Sequence, residues 1–383
     1  MKKTLLLSTI LTTAIVAQSF EYPALYKDPT VLSRGGADVA VGGGAASLFS
    51  NPAGLSYMKK NDYEVNLLKT TLGVGANSFD FASDLSDATD IEGSDEEKSI
   101  AINNVIKEYI GEPVHLSVNN FSSVAYNQGN YAIGGGIAIG SNINYTTHQG
   151  FASSGAIEVN ADTYVLGIIG ISLDYLSQEM FDHDRLKLAG AMKFGKRTNV
   201  KHNFTTREIV ENSEDFDKFV EDEYLKDGTA FGFDLGAIYE MGEFAGDTKL
   251  NPKVGFSILN IGDLDFGEAG KIPMTVNLGA SISPEFDYLS NWIFALDYSD
   301  VLQNNEDEDF IKRLKIGAST ALVNGKNTTI TLNTGLYQGN LTAGLDFDLP
   351  VFSLGLSTYG EEVGAASGQL TDRRYLLTLA LGW

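Results

Sequence analysis

The feature that most constrains this chain is a period-two alternation of apolar and small polar residues. From Met274 to Ser283, Met274, Val276, Leu278, Ala280 and Ile282 share one face, and Thr275, Asn277, Gly279, Ser281 and Ser283 share the other. From Leu341 to Leu349, Leu341, Ala343, Leu345, Phe347 and Leu349 oppose Thr342, Gly344, Asp346 and Asp348. Successive side chains on a strand point to opposite faces, so this pattern means strands with one apolar face. The parity shifts across Leu349-Pro350-Val351, as a tight turn requires. With lower purity the pattern recurs, and it predicts strands near 63–79, 113–127, 130–147, 155–175, 185–207, 228–241 and 250–262. The second half adds 272–284, 290–302, 311–323, 328–338, 340–349, 351–360 and 374–383. Most have about ten residues or more, the length of a tilted strand that crosses a bilayer.

The second face decides between a soluble β-protein and a membrane barrel. A soluble sheet meets water on its outer face and carries long charged side chains there. Here that face is mostly Gly, Ser, Thr and Asn, as in Ala132, Gly134, Gly136, Ala138, Gly140, Asn142 and Asn144. Small, weakly polar residues suit a lumen wall behind a lipid-facing apolar band. Aromatic strand ends (Tyr131, Tyr145, Trp292, Tyr298) agree. The expected fold is all-β: a transmembrane antiparallel up-and-down β-barrel of about fourteen strands, with an N-terminal hatch and short helices in outer loops. A secreted β-protein is the weaker alternative. The last strand carries Tyr375, Leu377, Leu379, Leu381 and Trp383 on one stripe. It resembles the closing strand of bacterial outer-membrane barrels, which their assembly machinery reads.

Met1-Lys2-Lys3, the apolar run Thr4–Ala17 and the small residues Ala17 and Ser19 read as a secretory signal peptide over 1–19. Cleavage after Ala17 or after Ser19 both fit, and a buried N-terminal helix is the bland alternative. No cysteine follows, so a lipoprotein anchor is excluded. The expected organisation is a hatch over 20–62 and a barrel over 63–383, in the bacterial outer membrane.

The chain has 27 basic and 50 acidic residues, a net charge of −23. That argues against nucleic acid, whose phosphates need clustered Lys and Arg. The acid is localised. Residues 80–97 hold eight acids, residues 208–223 hold eight with the single base Lys218, and Glu306, Asp307, Glu308 and Asp309 form a third run. All three lie between predicted strands, after the first, fifth and ninth, and Glu361-Glu362 follows the thirteenth. In an up-and-down barrel every odd connection lies at the same end, so all four are expected on the outer side. Connections after even strands are mostly shorter.

Two acidic runs read as helical. Ser94-Asp95-Glu96-Glu97 is a capping box. Ile102, Val105, Ile106, Tyr109 and Ile110 then follow helical spacing, as do Phe216, Phe219, Val220 and Tyr224. Their apolar faces dock on the barrel rim in the bland reading, or form a groove capturing an apolar ligand in the sharper one. Divalent cations bridging these carboxylates to lipopolysaccharide are a third, unspecific reading.

Before the first strand stand Arg34-Gly35-Gly36-Ala37-Asp38-Val39-Ala40, Gly42-Gly43-Gly44-Ala45-Ala46 and Asn51-Pro52-Ala53-Gly54-Leu55. As a phosphate loop this lacks the Walker lysine. As a compact small-residue plug it fits: glycine permits close approach and Asn-Pro starts a turn. This start followed by about fourteen strands resembles the FadL/TodX superfamily of outer-membrane proteins. The finer texture is similar to a branch with PorV-like secretion components and TraF-like (conjugal transfer) proteins. The stretches are Gly73-Val74-Gly75 to Asp80, Asp234-Leu235-Gly236-Ala237-Ile238-Tyr239, Leu259-Asn260-Ile261-Gly262-Asp263, Ile272-Pro273 to Leu278-Gly279-Ala280, and Leu296-Asp297-Tyr298. The resemblance implies that the N-terminal segment is a hatch inside a barrel that passes hydrophobic compounds. It carries over no pocket residue.

Catalytic and metal motifs are sparse. His115, His148, His183 and His202 show no metal-ligand spacing, and Asp182-His183-Asp184 reads as a solvated turn. There is no cysteine and no Gly-x-Ser-x-Gly. No cofactor and no metal are expected. A hydrolase with a Ser–His pair on the barrel wall is the enzymatic alternative. The leading expectation is passive uptake of a hydrophobic or amphipathic small molecule. The runner-up is an accessory barrel with a protein partner in secretion or conjugal transfer.

Overall fold

The structure is a computed structural model that describes residues 21–149, 155–176, 185–212, 215–241, 250–286, 288–305 and 309–383. The proposed signal peptide, the Asp182-His183-Asp184 turn and Glu306, Asp307 and Glu308 lie outside these residues.

Fourteen strands close into one antiparallel barrel. They are β1 (Asp62–Gly75), β2 (Val114–Asn127), β3 (Tyr131–Gln149), β4 (Gly155–Leu176), β5 (Arg185–Thr205), β6 (Lys226–Glu240) and β7 (Lys253–Leu259). A two-stranded hairpin, β8 (Leu264–Asp265) and β9 (Lys271–Ile272), stands apart from the wall. The wall resumes with β10 (Thr275–Ile282), β11 (Ser290–Tyr298), β12 (Leu314–Asn324), β13 (Thr329–Tyr337), β14 (Asn340–Asp348), β15 (Phe352–Glu362) and β16 (Thr371–Gly382). Each wall strand pairs with its sequence neighbours, and β1 closes the circle on β16, with Thr71 opposite Thr378. All fourteen strands read from the alternation are present.

The wall is inside out relative to a soluble protein. Ile169 (60% exposed), Phe194 (61%) and Leu341 (70%) project outward, whereas Ser172 and Asn333 (0%) and Asp234 (1%) are buried inside. Tyr375, Leu377, Leu379, Leu381 and Trp383 are all exposed. The parity that puts Leu on one face necessarily puts Ser, Asn and Asp on the other.

Connections after odd wall strands share one end, the helical end. Here lie α2 (Ser78–Thr89) and α3 (Asp95–Glu108) after β1, and α4 (Thr206–Glu211) and α5 (Phe216–Tyr224) after β5. The Ser94–Glu97 capping box is formed, and its hydrogen bonds hold the exposed Glu97 carboxyl below the usual range. A second box, Thr205 with Glu208, ends β5 and starts α4. Three local differences from the sequence expectation stand out. The first strand stops at Gly75, because Phe79 and Phe81 alternate like a strand but belong to α2. The hairpin β8–β9 falls where a plain connection was expected. Glu361 and Glu362 do not sit in a solvated acidic loop: they end β15 and are fully buried.

Candidate functional site

Residues 21–61 precede β1, and most of residues 25–55 are buried against the inward faces of the wall strands. The segment contains α1 (Pro29–Ser33) and two 3-10 turns, Ala45–Phe49 and Pro52–Tyr57. Asp28 caps α1 by accepting from the Thr30 and Val31 amides, at 3.0 and 3.3 Å. The carboxylate of Asp297, on β11, accepts from the amides of Asp38 and Val39 at 2.6 and 2.8 Å. Arg34 pairs with Asp38 at 2.6 Å. Burial raises the Asp38 carboxyl above its ordinary value, more than Arg34 and Ser50 lower it.

The Asn-Pro-Ala-Gly-Leu motif now has a physical reading. Asn51 is fully buried; its oxygen accepts from the Ala53 amide at 3.1 Å and caps the second 3-10 turn. Its nitrogen donates to Val39 O at 2.7 Å, Ala237 O at 3.1 Å and Phe256 O at 3.3 Å, joining hatch to β6 and β7. Pro52 takes the first helical position, where its missing N–H costs nothing. Gly54 lies against Gly42, and Leu55 against Gly134.

Inward-facing wall glycines form an imprint of the hatch. A Cβ on Gly170 would lie 2.5 Å from Leu48 Cδ2, and one on Gly344 the same distance from Ser33 Cβ. Cβ atoms on Gly236, Gly255 and Gly317 would strike Asn51 Oδ1, Val39 O and Arg34 O. Gly35, in the left-handed region at φ 65°, passes against the backbones of β12 and β13. The small lumen face is therefore small where the hatch passes.

The start of the hatch is tied by buried ions. Glu21 binds Arg374, on β16, at 3.0 and 2.9 Å, and Lys27 binds Glu361 at 2.7 Å and Glu21 at 3.3 Å. Burial alone would raise the Glu21 carboxyl, but the Arg374 and Lys27 charges beside it win and hold it well below the usual range. Glu362 accepts from the amides of Gly364, Gly368 and Leu370, which organises the last loop.

A second obstruction comes from the helical end. Leu264, Phe266, Ala269 and Ile272, in the connection between β7 and β10, are buried in one apolar cluster with Leu25, Leu48 and Leu166. A Cβ on the inward Gly232 would sit 3.0 Å from Leu264 Cδ1. Between this loop and the hatch lies a cavity of about 220 Å³, with Leu25, Phe49, Leu259 and Pro273 beside Lys315 and Asp297.

A smaller, polar chamber of about 100 Å³ lies near β2, β3 and β16, with Glu21, His115, Ser117, Asn142, Asn144 and Arg374 among its lining. His115 Nε2 is 3.0 Å from Ser117 Oγ, and His115 Nδ1 is 2.7 Å from Asn144 Oδ1. This cluster was missed in the sequence; the available signal was His-x-Ser on a strand, which period two places on one face. Among the described residues no group of three or more His, Asp or Glu gathers as metal ligands.

The loop-helix residues separate into two places. Ile102, Ile106 and Tyr109 are buried with Phe81, Ile157 and Val210, and Val105 packs against them, in a cap over β3 and β4. Phe216 and Phe219 instead join Phe204, His202 and Tyr224 in an aromatic cluster on β5, with Val220 half-buried on the same helix.

No family model and no curated protein sequence matches the chain. Solved structures do. The P. putida toluene transporter TodX is similar with a TM-score of 0.50 and 11% identity, over 94% of this chain and 99% of that one. A TodX deltaS2S3 mutant, a monoaromatic hydrocarbon channel, gives 0.52 and 13% over 93% and 98%. A Pseudomonas aeruginosa FadL homologue gives 0.40 and 10% over 95% and 99%. At such identities the likeness speaks for fold alone, and the fold this chain shares with TodX is the closed antiparallel fourteen-stranded barrel.

Proposed function

We propose that this chain is a bacterial outer-membrane barrel through which a hydrophobic or amphipathic small molecule passes without energy input. The observation that carries the reading is the partly apolar cavity between hatch and inward loop, inside a wall whose exterior is apolar. Leu264 and Ile272 line this cavity on the side of the inward loop, and Phe266 is buried with them in one apolar cluster. Lys315 and Asp297 on its wall suit a molecule with a polar group as well as an apolar body. The names of the solved neighbours, toluene transporter and hydrocarbon channel, support passage of apolar compounds. The exposed stripe ending at Trp383 serves insertion by the barrel-assembly machinery, and the acidic helical end faces lipopolysaccharide.

The test uses cells with an intact outer membrane, which excludes the apolar dye N-phenyl-1-naphthylamine. Expression of the chain is expected to speed dye entry, and Leu264→Trp, which crowds the loop against Gly232, to change that rate. Dye entry identical with and without the chain, together with unchanged uptake of amphipathic probes, overturns the reading.

A further inference from the structure

The polar chamber contains groups that passage of a small molecule does not need. Ser117, His115 and Asn144 are hydrogen-bonded in series, at 3.0 and 2.7 Å. The direction of the series follows from Arg374. A guanidinium only donates, so the Asn144 atom that meets Arg374 Nη2 at 3.1 Å is an oxygen. The same oxygen faces His115 Nδ1, so Nδ1 carries the proton. Nε2 then holds a lone pair, and the Ser117 hydroxyl donates to it. This is the nucleophile–base–orienter arrangement of acyl-transfer enzymes, recognised by geometry rather than by chain order.

The surroundings fit. Arg374 is fixed by Asp372 at 2.6 Å and by Glu21, so the orienting oxygen is itself held. Asn142 uses its oxygen to accept from Asn119 at 3.0 Å. Its amide nitrogen has no partner among the described residues, and Asn142 lines the chamber opposite Ser117 in the register of β3 on β2, so it can serve as a donor for developing negative charge. Beside Ser117 Oγ stands Gly73, where a side chain would fill the space in front of the hydroxyl. Leu25, Leu32 and Leu376 supply an apolar wall for a short acyl chain.

We propose that Ser117, His115 and Asn144 form a site inside the barrel that hydrolyses a small carboxylic ester. Ser117 Oγ attacks the ester carbonyl carbon while its proton passes to His115 Nε2. The tetrahedral oxyanion accepts a hydrogen bond from the Asn142 side-chain N–H. On collapse the C–O bond to the alcohol breaks, and His115 gives its proton to the departing alcohol, leaving acyl-Ser117. A water molecule, deprotonated by His115, then attacks the acyl carbon. The carboxylic acid leaves and Ser117 regains its proton. Ser117 and His115 are the catalytic residues; Asn144 is a positioning residue.

The experiment uses the full-length chain in detergent micelles, with folding checked by heat-dependent gel migration. The probes are p-nitrophenyl butyrate for turnover and an alkyl fluorophosphonate for covalent capture, the adduct placed by peptide mass. Turnover is expected to fall about 100-fold in Ser117→Ala and in His115→Phe. Asn144→Leu loses a similar factor, whereas Asn144→Asp, which still accepts from Nδ1–H, retains most of it; a merely structural role would not give that split. Tyr22→Ala, which trims a ring from the segment lining the chamber and leaves the Arg374–Asn144 contact in place, admits the probe more readily. The proposal is overturned if neither wild type nor Tyr22→Ala forms an adduct on Ser117 or turns over ester faster than Ser117→Ala. Dye entry does not bear on this outcome.

Discussion

Asn51 offers the most informative perturbation of the hatch, because its side chain is fully buried and both of its ends are used. Asn51→Ala removes the donor to Val39 O at 2.7 Å and two longer contacts to β6 and β7, and it orphans the Ala53 amide. Leaving a buried group unsatisfied costs about 1–3 kcal/mol. One strong donor contact and one orphaned amide together give a loss of about 3 kcal/mol. Asn51→Asp has nearly the same shape and keeps the bond to Ala53. Its carboxylate, however, faces three carbonyl oxygens, and burying an unpaired charge costs several kcal/mol or forces it to take up a proton. The expected order of stability is therefore wild type, then Ala, then Asp, although Asp is the smaller change in volume. Urea unfolding in lipid vesicles, followed by tryptophan fluorescence and gel migration, measures it. An Asp variant as stable as Ala, or either variant within about 0.5 kcal/mol of wild type, would refute the claim that Asn51 joins hatch to wall through its amide.

Other substitutions probe the same logic. Gly317→Ala places a methyl against Arg34 O and is expected to cost about 2 kcal/mol, whereas Gly167→Ala, outward and with only Phe194 O at 3.7 Å nearby, stays within about 0.5 kcal/mol; paired urea curves compare them. Ser94→Ala removes the α3 cap and costs about 1 kcal/mol locally, read as faster amide exchange over Asp95–Glu108 with the barrel midpoint unmoved. Because the folded Glu21 carboxyl lies well below its ordinary 4.5, its stabilising effect is full above that pH and is lost as pH falls toward the folded value. A fluorophore on Ala24→Cys, in this cysteine-free chain, is expected to report release of the N-terminal segment in acid, with a flatter pH response in Glu21→Gln.

How far the sequence is legible follows from which forces act locally. Strands were readable because burial on a barrel wall has the period of the backbone itself, and Leu278 or Leu341 must face out wherever the neighbouring strands lie. The hatch motif was readable as small and compact, but not its contacts: Gly236 and Gly255 show only as polar-face glycines until Asn51 and Val39 are placed against them. The inward loop carried a usable sign, since Leu264, Phe266 and Ile272 are too apolar for a solvated connection. Glu361 and Glu362 misled because charge in sequence says nothing of partners; Lys27, at the other end of the chain, takes one of them into the interior. The polar chamber combines both cases. Period two alone puts His115 and Ser117 on one lumen face, so half of the cluster is local. Asn144 enters only through the register of β3 on β2, where it is the residue opposite His115. Arg374 enters only when the barrel closes, bringing β16 round to β1 and within reach of Asn144. The tautomer that lets the Ser117 hydroxyl donate to His115 Nε2 therefore depends on barrel closure, and a chain read strand by strand shows no such series.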